Sequence, residues 1–500
     1  MQFRIEVIAV ADDGTECRQE VGTLTRTAAT LETLGLTLAE SKQVLQQLQQ
    51  TVVQRQVGAY LDQARACPHC GKPRPLKQSA HAPFRTLFGL VAVSNPRWHQ
   101  CDCHPHPVKT VRPLATLLPE RTSPELCYLE TKWAALASYG VTTALLHEVL
   151  PIDQKHSAIT VRNHTLRVAQ RKEQMLGDEQ PIYIEGSPVE LSRLPIPDGP
   201  LVVGLDGGIV RARRGTNSDQ ASNLFEIIAG KSILAFRRAD PLDTPPTSKC
   251  FALVRSVDKK PKRRLFELLR GQGMQANQQL TFFSDGGDTV RRLPEYLHPA
   301  AEHILDWFHV TMRLTVLQQC ARGLPGKVAP SSQDPVEDER AAEESLEGQV
   351  ERVKHYLWHG NTSKALERLG WLADDLESWD YNADGQPSPQ PGSAEAARML
   401  KHVRELETYI GNNAGSIVNY GERYRNGERI STGFVESTIN QVISKRMVKK
   451  QQMQWTPEGA HLLLQVRTAV LNEEWEATFR TWYPAFRSGA GTAEPAHPAA

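Results

Sequence analysis

Residues 200–210 read PLVVGLDGGIV, an aliphatic, β-branched run that carries one carboxylate, Asp206, into a pair of glycines. Such a run is the pattern of a buried strand. A carboxylate closing it, followed by bare glycine backbone, stands where a bulky charged ligand can come close. The pattern returns 79 residues later in LTFFSDGG (280–287), where Asp285 precedes Gly286 and Gly287. Asp-Gly is also ordinary turn chemistry, so either aspartate alone reads equally well as a turn residue.

Working outward, LFEIIAGKSILAF (224–236), CFALVRSV (250–257) and HILDWFHV (303–310) are further strand-like runs. KKPKRRLFELLRGQGM (259–274) and DTVRRLPEYL (288–297) have the spacing of amphipathic helices. Three consecutive strands, then strands alternating with helices, predict an α/β fold with a mixed sheet covered by helices. Beyond His309 the pattern stays helical to about residue 410, broken by two polar, proline-rich stretches at 330–344 and 379–397 that read as mobile loops. GFVESTINQVISKRMVKKQQMQWTPEGAHLLLQVRTAVLN (433–472) then predicts two helices separated near Trp455 to Gly459. Glu436 falls in the first turn of the former. A glutamate there is a common partner of the helix dipole, but Asn440 follows one turn on, and Lys445, Arg446 and Lys449 run after it as phosphate-holding groups would.

Asp206, Asp285 and Glu436 together suggest a cation. Mg²⁺ takes oxygen ligands and is held by a few carboxylates plus substrate phosphates, whereas carboxylates converging without one repel and raise one another's pKa. In sequence order LDGG, FFSDGGD, DWFH and GFVESTIN resemble the motifs of the DDE transposases, and most closely the Kra group of bacterial insertion sequences. The resemblance spans roughly residues 200–475. It implies a ribonuclease-H-like core, with the first aspartate on the first strand, the second after the fourth and the glutamate on a late helix. Those roles fall on Asp206, Asp285 and Glu436 as ligands of two Mg²⁺ (or Mn²⁺) ions. The 151-residue gap before Glu436 suits members with a helical insertion. Asp306-Trp307-Phe308-His309 matches a further Asp-x-x-His motif of related transposases, which would set His309 near the scissile phosphate; a buried pair in which Asp306 accepts a hydrogen bond is the other reading.

Upstream, four of the eight cysteines lie within 37 residues: Cys67, Cys70, Cys101 and Cys103. A Cys-Pro-His-Cys-Gly knuckle plus a second pair predicts a structural, tetrahedral Zn²⁺ in a zinc-ribbon-like segment, with His104 or His106 as an alternative to Cys103. RTLFGLVAVSNPRWHQC (85–101) reads as two short strands around a Ser-Asn-Pro turn. Between residues 123 and 174 three helical pieces follow one another: the first is opened by Ser123-Pro124 and closed at Gly140, the second starts at Thr142 or Thr143, and the third is capped by Ser157. That is the outline of a helix-turn-helix DNA reader, with Arg162, His164 and Arg167 as its contacts. Three short helices also serve as plain core.

The resulting division is a helical segment at 1–60, a zinc-ribbon-like segment at 61–112 and a helix-turn-helix region at 118–178. The core follows at 195–310 and 426–487 around a helical insertion at 311–425, with a disordered tail at 488–500. Basic and acidic residues balance, 58 against 57, so no global field argues for nucleic acid. Local clusters do: Arg211, Arg213 and Arg214 follow Asp206. No run reaches the roughly 18 apolar residues that cross a bilayer, and the acidic N-terminus lacks a signal-peptide core, which points to the cytoplasm. The expected activity is binding of an element's terminal inverted repeats, cleavage of DNA and transfer of the strand, by a dimer or higher oligomer on double-stranded DNA. A nuclease on the same core, cutting without joining, and a transposase-derived, zinc-containing regulator are the rivals.

Overall fold

The computed structural model describes the chain except for residues 12–13, 104–108, 198, 214–222, 234–247, 288–296, 298–300, 325–344, 381–384, 388–390, 449–452 and 490–500. His104, His106, Arg214, Lys449, most of the helix expected at 288–297 and nearly all of the tail lie outside the described residues. The chain forms two compact units, Met1–Lys172 with Ala469–Ala500, and Glu173–Thr468. No helix among the described residues is long and apolar enough to cross a membrane.

In the first unit the chain opens on an antiparallel hairpin, β1 (Gln2–Val10) and β2 (Glu16–Thr25), where a helical segment was expected. The reason is legible: Phe3, Ile5 and Val7 alternate with Arg4 and Glu6, a period of two that a helix cannot use. Helix α1 (Leu38–Ala64) begins at a capping box, in which Thr37 Oγ accepts from Glu40 N (3.2 Å) and Glu40 accepts from Thr37 N (2.9 Å). Its Val53, Val57 and Leu61 pack on Val91 and Val93 of a second hairpin, β3 (His81–Thr86) and β4 (Gly89–Ser94). The strand at Arg97–His99 does flank the Ser-Asn-Pro turn, but it pairs with Leu76–Gln78 and Thr110–Val111 rather than with β4.

Three helices follow: α2 (Pro124–Leu136), α3 (Tyr139–Val149) and α4 (Ala158–Met175). Ser123 caps the first and Ser157 the third, as the sequence indicated. The middle boundary differs. Ala137 turns extended, Ser138 Oγ accepts from Val141 N, and Gly140 lies inside α3 rather than closing α2.

In the second unit β5 (Leu201–Arg211), β6 (Leu224–Ile233) and β7 (Ser248–Val254) form an antiparallel meander. On the free side of β5 lie β8 (Leu280–Ser284) and β9 (Glu302–Leu305), both parallel to their neighbours. The sheet order is therefore β7-β6-β5-β8-β9, a mixed sheet in an α/β unit. One face, with Leu201, Val203, Leu205 and Phe282, is covered by Leu265 and Leu269 of α5 (Pro261–Gly271). The other face carries Val202, Phe283 and Ile304, packed with Tyr420 and Phe434. Between β9 and the chain's return to the sheet, helices α6 (Trp307–Gly323), α7 (Leu346–Trp358), α8 (Thr362–Glu377) and α9 (Ser393–Asn412) bury a core of their own through residues such as Leu314, Val353, Leu372 and Val403.

Candidate functional site

Side chains alternate across a strand, so Asp206 shares the face of Val202, Gly204 and Gly208. Gly204 pairs with Phe283 across the parallel β5–β8 ladder, and Phe283 pairs with Ile304 across β8–β9. Two residues beyond each member of that row come Asp206, Asp285 and Asp306. Asp206 on β5, and Asp285 and Asp306 just past the ends of β8 and β9, therefore stand abreast where neighbouring strands run about 4.8 Å apart. Asp206 is not at a strand end, as the sequence had suggested. It pairs with Ala229, and Gly207 and Gly208 continue the ladder opposite Ile228 and Ile227. Asp285, by contrast, does lie just past its strand, and its carbonyl accepts from Tyr409 Oη at 2.9 Å.

Burial raises the Asp206 carboxyl above its ordinary range, the negative charges of Asp285 and Asp306 add to this, and Gly207 N–H and His309 act against it. His309, in the first turn of α6, donates from Nδ1 to Asp306 at 2.8 Å. That bond, with the fields of Asp306, Asp206 and Asp285, raises its pKa despite partial burial. The geometry matches the buried-pair reading of this motif: Asp306 is a fully buried acceptor, and the ring it holds lies in the field of the other two aspartates. Asp306 also caps α6 through Phe308 N (2.9 Å) and accepts from Thr432 N (3.0 Å) and Thr432 Oγ1.

Thr432 leads into helix α11 (Gly433–Ile439), which follows the short helix α10 (Tyr420–Arg425). Two glycines let it lie on the sheet. A Cβ at Gly204 would stand 2.1 Å from Val435 Cγ2, and one at Gly208 would stand 2.8 Å from Ile443 Cδ1. The segment 435–443 therefore runs along β5 with Asp206 between its two contact points, and carries Glu436, which is exposed. From Asn440 to Val448 the helix widens to π geometry, a form that recurs at functional sites. Arg467 donates to the carbonyls of Val442 (2.8 Å) and Gln441 there.

The expected cationic contacts divide by burial. Arg211, Arg213 and Lys445 are exposed. Arg446 is wholly buried, its guanidinium 5.2 Å from the Trp455 ring centre, so it is not a backbone contact; the π segment rephases the side chains and turns this one inward. In the first unit Arg162 and Arg167 are exposed on α4, but His164 is buried and its Nδ1 lies 2.6 Å from the fully buried Glu130. His164 thus leaves the set of DNA contacts. It sits on the inner side of the helix, where its ring satisfies a carboxylate.

Cys67, Cys70, Cys101 and Cys103 bring all four Sγ atoms within 4.8 Å of one another. Cys67 Sγ and Cys103 Sγ are 3.5 Å apart, Cys70 Sγ and Cys101 Sγ 3.3 Å. Backbone N–H groups of Cys70 and His69 bring the Cys67 thiol down to about 6, while hydrogen bonds to Cys70 and Cys67 push Cys103 up to about 12. Four sulfurs this close would all be thiolates only around a cation, and a four-sulfur set fits zinc.

Among the described residues Glu173, Asp258 and His461 also bring one potential ligand atom each within 4.8 Å of the others. Asp206, Asp285 and Glu436 do not form such a group. No spacing in the sequence signals the Glu173 cluster, and its cation is already in place. Buried Arg264 donates to Asp258 Oδ2 (2.8 Å), to both Glu173 oxygens (2.8 Å each) and to Gln465 Oε1 (2.6 Å). His461 Nδ1 accepts from Val254 N at 3.3 Å.

No family model and no curated relative matches the chain. Among solved structures it is similar to the Drosophila P element transposase strand transfer complex, at 11% identity and a TM-score of 0.28, over 71% of this chain and 93% of that one. A likeness of that degree carries no argument about function.

Proposed function

We propose that the protein is a DDE-type DNA transposase that cuts the ends of its element and joins them to target DNA. The observation that supports this best is the placement of Asp206 on β5 beside Asp285, just past the end of the neighbouring parallel strand β8, beneath the glycine-seated segment that carries Glu436. The mixed sheet, with three antiparallel strands and two parallel ones on the far side of the first, supports this reading. Asp206 on β5 and Asp285 just past β8 support it as well. The donor set is oxygen-only, as Mg²⁺ or Mn²⁺ prefers. Asp206, Asp285 and Glu436 would hold the ions, which when bound would supply Lewis acidity at the attacking and leaving oxygens of an in-line displacement at phosphorus.

The chain's own groups then have defined tasks. His309, fixed by Asp306 and kept charged to a higher pH than a free histidine, is a donor for a phosphate oxygen. Arg211, Arg213 and Lys445 offer exposed charge to the DNA backbone. Arg162 and Arg167 on α4 read the element ends, and the four cysteines hold a structural zinc. The test is a strand-transfer assay on DNA flanking the gene, with Mg²⁺ or Mn²⁺. Joined products carrying the element's 3′ end support the reading. Cleavage without joining would make the protein a nuclease, and binding without either a regulator.

A further inference from the structure

Both outer edges of the N-terminal hairpin lack a strand partner among the described residues, and β2 packs against α1 where Gly22 meets Val44, which leaves the β1 edge as the free one. Among the described residues β1 pairs with β2 alone, in a two-stranded sheet. An uncovered strand of nine residues is an edge that proteins ordinarily protect or use. Phe3, Ile8 and Val10 are exposed, β1 contains neither lysine nor proline, and its two charges, Arg4 and Glu6, are opposite in sign and so suit pairing with a copy of the same strand.

We infer that β1 pairs antiparallel with β1 of a second copy of this chain, Ile5 opposite Ile5, to form one four-stranded sheet. The register follows from charge. A two-fold axis normal to the sheet pairs residues of the same face, so each candidate register is centred on one residue meeting itself. Centring on Arg4 sets two arginines opposite one another, and centring on Glu6 sets two glutamates. Centring on Ile5 sets Arg4 opposite Glu6 of the second copy, and Glu6 opposite its Arg4. Within one copy Glu6 lies directly across from Glu20, a like-charge pairing that costs stability, while Arg4 Nε bridges Glu20 at 3.4 Å. The second copy's Arg4 supplies Glu6 with the counter-charge the hairpin lacks. The same register puts Val7 of the second copy beside Phe3. That ring lines an apolar groove of about 630 Å³ with Met1, Leu24, Leu34 and Leu36, so the apolar surface continues across the new seam.

Sedimentation of the full-length protein over a concentration series tests this without reference to catalysis. The native chain should dimerise reversibly. Glu6→Arg, which sets arginine against arginine twice per dimer, should weaken self-association about tenfold or more. Mixing Glu6→Arg with Arg4→Glu should restore a heterodimer, because each repels itself and complements the other. Ile5→Cys gives a second readout that alters no charge. It should cross-link to its own counterpart on mild oxidation, beyond the native chain's background, whereas Val10→Cys, whose counterpart falls beyond the start of the strand, should not. A monomeric native chain, a Glu6→Arg dimer as tight as the native one, a mixture no tighter than its components, or no cross-link at Ile5→Cys would each overturn the assignment.

Discussion

Gly204→Ala is the smallest change that should unseat the candidate site, because it adds one methyl where helix α11 rests on strand β5. The new Cβ would lie 2.1 Å from Val435 Cγ2 and 2.8 Å from Phe434 Cζ. Carbon atoms pack at about 3.5–4.0 Å, so the helix must rise by about 1.5 Å or the strand must bow. Overpacking of this kind costs about 1–3 kcal/mol. Against it stands the roughly 0.5–1 kcal/mol that alanine ordinarily gains over glycine inside a strand, and the clash should win. Glu436 rides on the displaced helix, and a shift of about 1 Å in a catalytic group can lower a rate about 100-fold. Gly207→Ala is the control, since its Cβ would meet one atom, the flexible Glu226 carboxylate at 3.3 Å. Denaturant unfolding and DNA cleavage by both variants make the comparison. If Gly204→Ala unfolds within about 0.5 kcal/mol of the native protein, the range of a neutral surface substitution, and also cuts at the native rate, α11 does not rest on β5 as described.

Two further predictions concern groups away from the carboxylates. Burial pushes Glu173 up, but hydrogen bonds from His461 and Arg264 outweigh it and hold the carboxyl at about 2. A depressed carboxyl stabilises the fold above its unfolded value near 4.5, and that contribution is lost as pH falls from there to about 2. Glu173→Gln should therefore cost about 3 kcal/mol at neutral pH, the low end for opening a buried pair because Asp258 still faces Arg264. The deficit should shrink towards pH 2 in denaturant titrations, and an equal deficit at both ends would contradict the assignment. Metal analysis should find about one zinc per chain, released by Cys67→Ser with Cys70→Ser and accompanied by a lower melting temperature; zinc retained in that double variant would refute the four-sulfur site.

Much of the sheet was legible because its strands are runs of Val, Ile, Leu and Phe that no surface helix would carry. The two aspartates stood out through the glycines after them, yet those glycines were read as strand ends. At Gly207 and Gly208 the ladder continues, and what bare backbone permits at Gly208 is the approach of Ile443. Burial of polar residues was not legible. Nothing in the spacing of Arg162, His164 and Arg167 tells which one turns inward, since that depends on Glu130, 34 residues upstream of the histidine. Arg446 is hidden by a π segment whose carbonyls are met by Arg467, distant in sequence. The N-terminal hairpin was missed: residues 1–60 were expected to be helical, although Phe3 to Val7 alternate apolar and charged residues.

Charge removal at constant shape tests the central claim most directly. Asp206→Asn, Asp285→Asn and Glu436→Gln keep side-chain size but replace a carboxylate by a poor ligand for Mg²⁺. Each should fold and bind DNA as the native chain does, and each should lose cleavage and joining together by about 10³-fold or more, roughly 4 kcal/mol of transition-state stabilisation. Three variants that cut and join at the native rate would contradict the account.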